Sequence, residues 1–199
     1  MVIMTIYDIK NDRGDLIMEK LQELASRMVS ERPADWDSLP DLSLYMDQVV
    51  GYMSRQLIGC SPEDKLTSAM VNNYIKDGHL PRAEGKRYSK THLAYLTQLC
   101  ALKTVLPVKD AGFLVNRESR TDIEERYEAF RQALDAALND TVDRLPTACG
   151  TEELPALALD LALRSYADKL ACQRIIAMLR QEEGESEKPS KKNKKADRA

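Results

Sequence analysis

The 199-residue chain is poor in the residues that catalysis, metal binding and export usually need. It has two histidines, His79 and His92, and neither stands in sequence near a nucleophile or a carboxylate that could complete a triad. A phosphate-cradling loop, a dinucleotide glycine pattern and an H-E-x-x-H helix are all missing. The expectation is therefore a protein with no catalytic residue, no metal and no cofactor. The four cysteines (Cys60, Cys100, Cys149, Cys172) lie far apart without a C-x-x-C pair, and read as reduced, mostly buried thiols. Cys100 and His92 would share one helix two turns apart, too far for joint ligation. Only 8 glycines and 8 prolines leave little room for the many tight turns of an all-β fold. No apolar run approaches the roughly 20 residues that cross a bilayer, and no basic, then apolar, then small-residue leader opens the chain. Neither a membrane span nor a signal peptide is expected, and a cytoplasmic location is.

Hydrophobic residues at 43% and charged residues at 31% fit a folded, helix-rich chain. The length suits one core, or a small domain with a helical appendage. The net charge of −3 is unevenly spread. From Lys65 to Lys90 six positive residues face two negative ones, hence +4, whereas Glu118 to Glu183 carries eight positive and fourteen negative, hence −6. A basic module joined to an acidic one suits a protein that touches nucleic acid at one end.

The informative stretch is Lys65 to Ser89, KLTSAMVNNYIKDGHLPRAEGKRYS. Thr67 or Ser68 can cap a helix whose Met70, Val71, Tyr74 and Ile75 share a face, leaving Asn72, Asn73 and Lys76 outside. Gly78 is a natural stop, because glycine takes the left-handed conformation without cost. Leu80 and Pro81 leave extended, Ala83 to Lys86 can turn the chain back into Arg87-Tyr88, and Ser89 can cap the next helix. A short polar-faced helix followed by a small basic wing is the plan of a winged helix-turn-helix.

The order Asn-Tyr-x-x-x-Gly-x-Leu-Pro, Gly-Lys-Arg-Tyr-Ser, long helix resembles the DNA-binding half of the mercury-resistance-regulator (MerR) family. The fuller run from Leu66 to Val115 is similar to the bacterial domain of unknown function 1836 family, through Val-Asn-Asn-Tyr-Ile-Lys, the Tyr-Ser step and the Leu-Lys helix. The likeness spans roughly residues 40 to 117. Asn72 stands where the MerR family usually has arginine, and the wing is one residue shorter before Tyr88. The resemblance implies DNA contact through the second helix and the wing.

Elsewhere the pattern is helical. Met1 to Gly14 reads as an extended or fraying segment closed by Asn11-Asp12-Arg13-Gly14, and Asp15 as the cap of a helix to about Ser30 with Leu16, Ile17, Leu21, Leu24 and Met28 on its stripe. Pro33 to Pro40 is a connector that Trp36 should pin to the core. Asp41 should cap a supporting helix that ends at Gly59, followed by a link to Leu66 that has room for a turn around Pro62-Glu63-Asp64. Helices are expected over Ser89 to Leu106, Pro107 to Val115, Arg120 to Leu145 and Glu152 to Glu182. The last is apolar nearly all round and should be buried in the fold or in a dimer. Gly184 to Ala199, rich in lysine, should be disordered, either as a solubilising tail or as a nonspecific phosphate tether.

These readings combine into a mainly α fold, a MerR-like winged helix-turn-helix with a small β wing and flanking long helices. The expected division is an N-terminal helix and linker (1–40), a DNA-binding module (41–117), a helical dimerisation or regulatory region (118–183) and a tail (184–199). The candidate DNA-binding residues are Thr67, Ser68, Asn72, Asn73, Lys76, Arg82, Lys86, Arg87, Tyr88 and Lys90. An asparagine amide can read adenine in the major groove, or else cap and pack locally. The basic residues would hold phosphates, or form a solvated charged surface. Tyr74 and Tyr88 read as braces, although a tyrosine hydroxyl can reach a phosphate. The leading functional expectation is a transcriptional regulator that binds double-stranded DNA as a homodimer, with a small-molecule effector compatible but not indicated. The alternative is a helical protein-interaction module.

Overall fold

The computed structural model describes residues 6–56, 65–117, 122–146 and 150–186, with side chains between residues 14 and 183 of those ranges. Seven α-helices account for most of them: α1 Ile6–Ser30, α2 Met46–Met53, α3 Ser68–Lys76, α4 Lys90–Leu102, α5 Val108–Arg117, α6 Ile123–Asp143 and α7 Leu154–Ser186. The fold is mainly α, and no paired strand occurs among the described residues. Gly59, the link around Pro62-Glu63-Asp64, Cys60, Cys149 and the tail from residue 187 lie outside the described residues.

The core is built around α4, in which every residue from His92 to Cys100 is buried. A helix covered on all sides must satisfy its polar groups internally. Thr97 donates its hydroxyl to the Leu93 carbonyl (2.9 Å) and Gln98 its amide to the Ala94 carbonyl (3.2 Å). α2, α5 and α6 pack around it. Val49 and Met53 enter from α2, Val71 and Tyr74 from α3, Ala111 and Val115 from α5, and Tyr127 from α6. This one cluster runs from Leu39 to Tyr127, with α4 at its centre.

The connector after α1 is pinned as its tryptophan suggests. Trp36 packs on Tyr127, ring centroids 6.2 Å apart, and its backbone N–H donates to Glu128 (2.8 Å). Tyr127 donates its hydroxyl to the Ala34 carbonyl (2.7 Å), and Arg131 donates to the Pro33 carbonyl (3.2 Å). α6 thus supplies the polar partners of a segment that makes few backbone bonds of its own. Arg32 reaches from the same segment to Asp135 and Asn139.

Three readings are corrected and a fourth is narrowed. α1 begins at Ile6, so the expected extended segment and the Asp15 cap give way to a helix that runs through Gly14. A single glycine costs a helix only about 1 kcal/mol, and at Gly14 an added Cβ would meet nothing within 4 Å. α2 begins at Met46 rather than after Asp41. Its cap is at Tyr45, whose N–H donates to Gln48 Oε1 (2.9 Å), while Asp41 pairs with Lys90 instead. No strand-built β wing forms: two isolated bridges, Leu44 to Tyr88 and Glu84 to Arg87, take its place. The turn between Glu84 and Arg87 holds only two residues, and the chain leaves to join Leu44 at the very next position, so no ladder extends. The expectation narrowed is that for α7, which runs to Ser186: of the two covers expected for it, the fold or a dimer, its own chain does not supply the first. Leu159, Leu163, Tyr166, Leu170, Ile175 and Met178 are exposed, and Ile176 is its only buried side chain among the described residues.

Candidate nucleic-acid interface

α3 takes its shape from local chemistry. The Thr67 hydroxyl accepts from the Met70 N–H (3.3 Å), which satisfies one of the donors a helix start leaves open. Val71 and Tyr74 are buried and Met70 and Ile75 half-buried, so the inner face is the one the spacing predicts. Gly78 closes the helix at φ +76°, the left-handed region in which only glycine is unstrained. Ser68, Asn72 and Lys76 follow at i, i+4 and i+8, so they stack along the outer face, with Asn73 beside them, all exposed.

The turn that follows is equally specific. Glu84 and Arg87 exchange two backbone hydrogen bonds (3.2 and 2.9 Å) across Gly85 and Lys86, whose φ values are +56° and +64°. Two successive positive φ values mark the primed hairpin turn, whose twist suits antiparallel chains. Lys86 is the one non-glycine residue with positive φ among the described residues. A lysine there costs conformational energy that glycine or asparagine would avoid. Its side chain is exposed at the tip of the turn.

His92 ties the turn to α4. Its Nδ1 accepts from the Ser89 N–H (3.0 Å), which completes a capping box with histidine in the usual place of Glu or Gln. An accepting Nδ1 requires the proton on Nε2, which faces the Arg82 carbonyl at 3.4 Å. Burial favours this neutral form and lowers the His92 pKa below its ordinary value of 6.5. Tyr88 packs edge-on against the imidazole, centroids 5.4 Å apart.

The ten expected contact residues fall into three groups. Ser68, Asn72, Asn73, Lys76, Arg82 and Lys86 are exposed, and the three basic ones have no ion-pair partner among the described residues. Arg87 and Lys90 are held by neighbours. The Arg87 guanidinium stacks on Tyr45 at 4.7 Å and donates to its hydroxyl, while Lys90 pairs with Asp41 (3.2 Å) and lies 5.1 Å from the Trp36 ring. Thr67 spends its hydroxyl on the cap, and Tyr88 is only 5% exposed, in the bracing position. Tyr45 and Asp41 are the neighbours that sequence reasoning missed. Tyr45 is 48% exposed and lies beside the turn through its contact with Arg87. Among the described residues no group of three or more His, Cys, Asp or Glu side chains is placed to hold a metal. No helix there is long and apolar enough to cross a membrane.

No curated protein and no solved structure matches the chain. A family model matches residues 34–134, from just before Trp36 through the first half of α6, which takes in α2 to α5 and the Tyr127 packing that closes the core. The chain therefore belongs to the domain of unknown function 1836 family (DUF1836).

Proposed function

We propose that this protein is a transcriptional regulator that reads duplex DNA with the outer face of α3 and the Gly85-Lys86 turn, in the manner of a MerR-like winged helix-turn-helix. The observation that carries the reading is the strained Lys86. A lysine at φ +64° on the tip of a two-residue turn carries strain that glycine would avoid, and its exposed cation is available to a phosphate. Asn72 and Asn73 would read base edges, Ser68 would assist, and Lys76, Arg82 and Lys86 would hold phosphates. Arg87 and Lys90, fixed by Tyr45 and by Asp41 with Trp36, would set the turn's angle to the duplex edge. The protein acts by binding, without catalysis.

The uncovered apolar side of α7 supports a homodimer, since Leu159, Leu163, Tyr166 and Leu170 follow at i, i+4, i+7 and i+11 and all lie exposed on a helix of 33 residues. The same side favours a second reading, a helical adaptor that holds another protein there. Selection of bound sites from a random duplex library separates the two. Recovery of a palindrome, bound with affinity that falls steeply as salt rises, is the expected outcome. Failure to retain any duplex at low salt would leave the adaptor reading. Replacing Lys76 and Lys86 by glutamate should abolish duplex binding while leaving an α7 partner in place.

A further inference from the structure

A cleft of about 450 Å³ opens between the end of α3, one face of α5 and the C-terminal part of α7. α5 presents Lys109, Phe113 and Arg117 at i, i+4 and i+8, and therefore along one side. α7 adds Arg180, and His79 forms the wall toward α3. The close approach of that wall depends on Gly112, where any Cβ would overlap the His79 imidazole.

The two guanidiniums are pre-positioned. Arg180 and Arg117 lie 4.8 and 5.7 Å from the Phe113 centroid, and the ring limits the directions their forks can take. Arg117 pairs with Glu183 (2.8 Å), and Arg180 pairs with Asp110 (2.7 Å) and donates to the Lys109 carbonyl (3.0 Å). Lys109 has no ion-pair partner among the described residues. A guanidinium carries five N–H donors, so these contacts leave donors free on both forks. Two arginine forks and an ammonium outnumber the single lining carboxylate, Glu183, around a space of small-molecule size, and so form a cradle for an oxyanion.

We propose that this cleft binds a small phosphorylated molecule, its phosphate held by Lys109, Arg117 and Arg180 and its body lying toward His79 and Asn116. A phosphate monoester fits better than a monocarboxylate, which has one charge and two oxygens to offer three cationic groups. The site joins three elements, because α7 packs on the rest of the chain through α5 and His79 directly follows the glycine stop of α3. Occupancy would fix the angle at which α7 leaves the core. Nothing in this inference depends on DNA binding.

The test is calorimetric titration of the full chain, in buffer free of phosphate, with glucose 6-phosphate, 3-phosphoglycerate and AMP. Glucose and inorganic phosphate serve as the comparison arms. At least one phosphorylated probe should saturate a single site per chain and slow hydrogen exchange over residues 109–117 and 176–183, whereas glucose does neither. Lys109→Gln, which leaves every ion pair intact, should weaken that binding by about tenfold, as expected for one lost charge-assisted contact. Lys109→Gln with Arg117→Gln should abolish it, and Lys86→Gln should leave it unchanged. The inference is overturned if none of the three probes saturates, or if Lys109→Gln binds as the parent does. Inorganic phosphate binding as tightly as the esters would overturn the small-molecule ligand in favour of a bare ion. Competition by duplex DNA that is lost in Lys109→Gln would assign the cleft to the nucleic-acid backbone instead.

Discussion

The guanidinium of Arg87 rests 4.7 Å from the ring centre of Tyr45 and donates to the same residue's hydroxyl at 2.8 Å, so one aromatic residue fixes both the position and the direction of the charge. Tyr45 is the cap of α2 and Arg87 the last residue of the turn, and the adjacent Leu44 and Tyr88 are bridged by two backbone hydrogen bonds of 2.9 Å. Tyr45→Ala should therefore leave stability within about 1 kcal/mol of the parent, because an exposed cation–π pair is worth no more than that. Duplex affinity should drop several-fold as Arg87 loses its orientation. Thermal melting and fluorescence anisotropy on the selected site check the two halves separately.

Lys86→Gly should act in opposite directions on fold and function. Glycine relieves the positive-φ strain, with an expected gain of about 0.5–1 kcal/mol in urea unfolding. If the ammonium sits on a phosphate, the slope of log affinity against log salt should become shallower by about 0.9. A variant that is both more stable and undiminished in binding would remove Lys86 from the interface.

Acid should weaken the turn through His92. Because burial lowers this imidazole's pKa, the folded chain stays neutral while the unfolded chain takes up a proton. The contribution is complete above pH 6.5 and declines as the pH falls from there toward the lower folded value. His92→Gln keeps an acceptor for the Ser89 N–H but cannot titrate. Its stability should be nearly flat where the parent's declines, as urea midpoints between pH 7.5 and 5 will show.

Two buried tyrosines should respond differently to loss of the hydroxyl. Burial pushes both up to about 12, yet Tyr127 donates to the Ala34 carbonyl at 2.7 Å, whereas the Tyr74 hydroxyl has no hydrogen-bond partner among the described residues. Tyr127→Phe should cost about 1–2 kcal/mol by orphaning that carbonyl, and Tyr74→Phe should be neutral or stabilising by up to about 1 kcal/mol. Chemical denaturation of the two variants side by side is sufficient.

Legibility in the sequence follows the range of the forces involved. The cap at Thr67 (one of the two offered), the inner face of α3 and the stop at Gly78 obey rules that act within four residues and are where the sequence puts them, and the turn, expected over Ala83 to Lys86, spans Glu84 to Arg87. The start of α1 and the start of α2 are not, because both depend on distant partners. α1 packs on α6, far along the chain, and the non-helical stretch from Asp41 to Leu44 is tied to Lys90 and Tyr88. The candidate site divides in the same way. Its exposed asparagines and lysines are readable as helix periodicity, while the Tyr45 support of Arg87 spans 42 positions and leaves no local signal. The cleft over Phe113 needs a residue 71 positions beyond Lys109, and no spacing rule connects them.

The clasp between Arg32 and α6 has a consequence for the order in which the molecule is assembled. Asp135 follows Arg32 by 103 positions, so α1 leaves the ribosome long before the surface that receives it exists. At a synthesis rate of about 5–20 residues per second, that interval is roughly 5–20 s. Throughout it the half-covered stripe of α1 has no native cover, whereas α2 to α5 find their partners among near neighbours in the chain. The α2 to α5 segment is thus positioned to fold first, and the N-terminal helix to dock only once α6 has followed it.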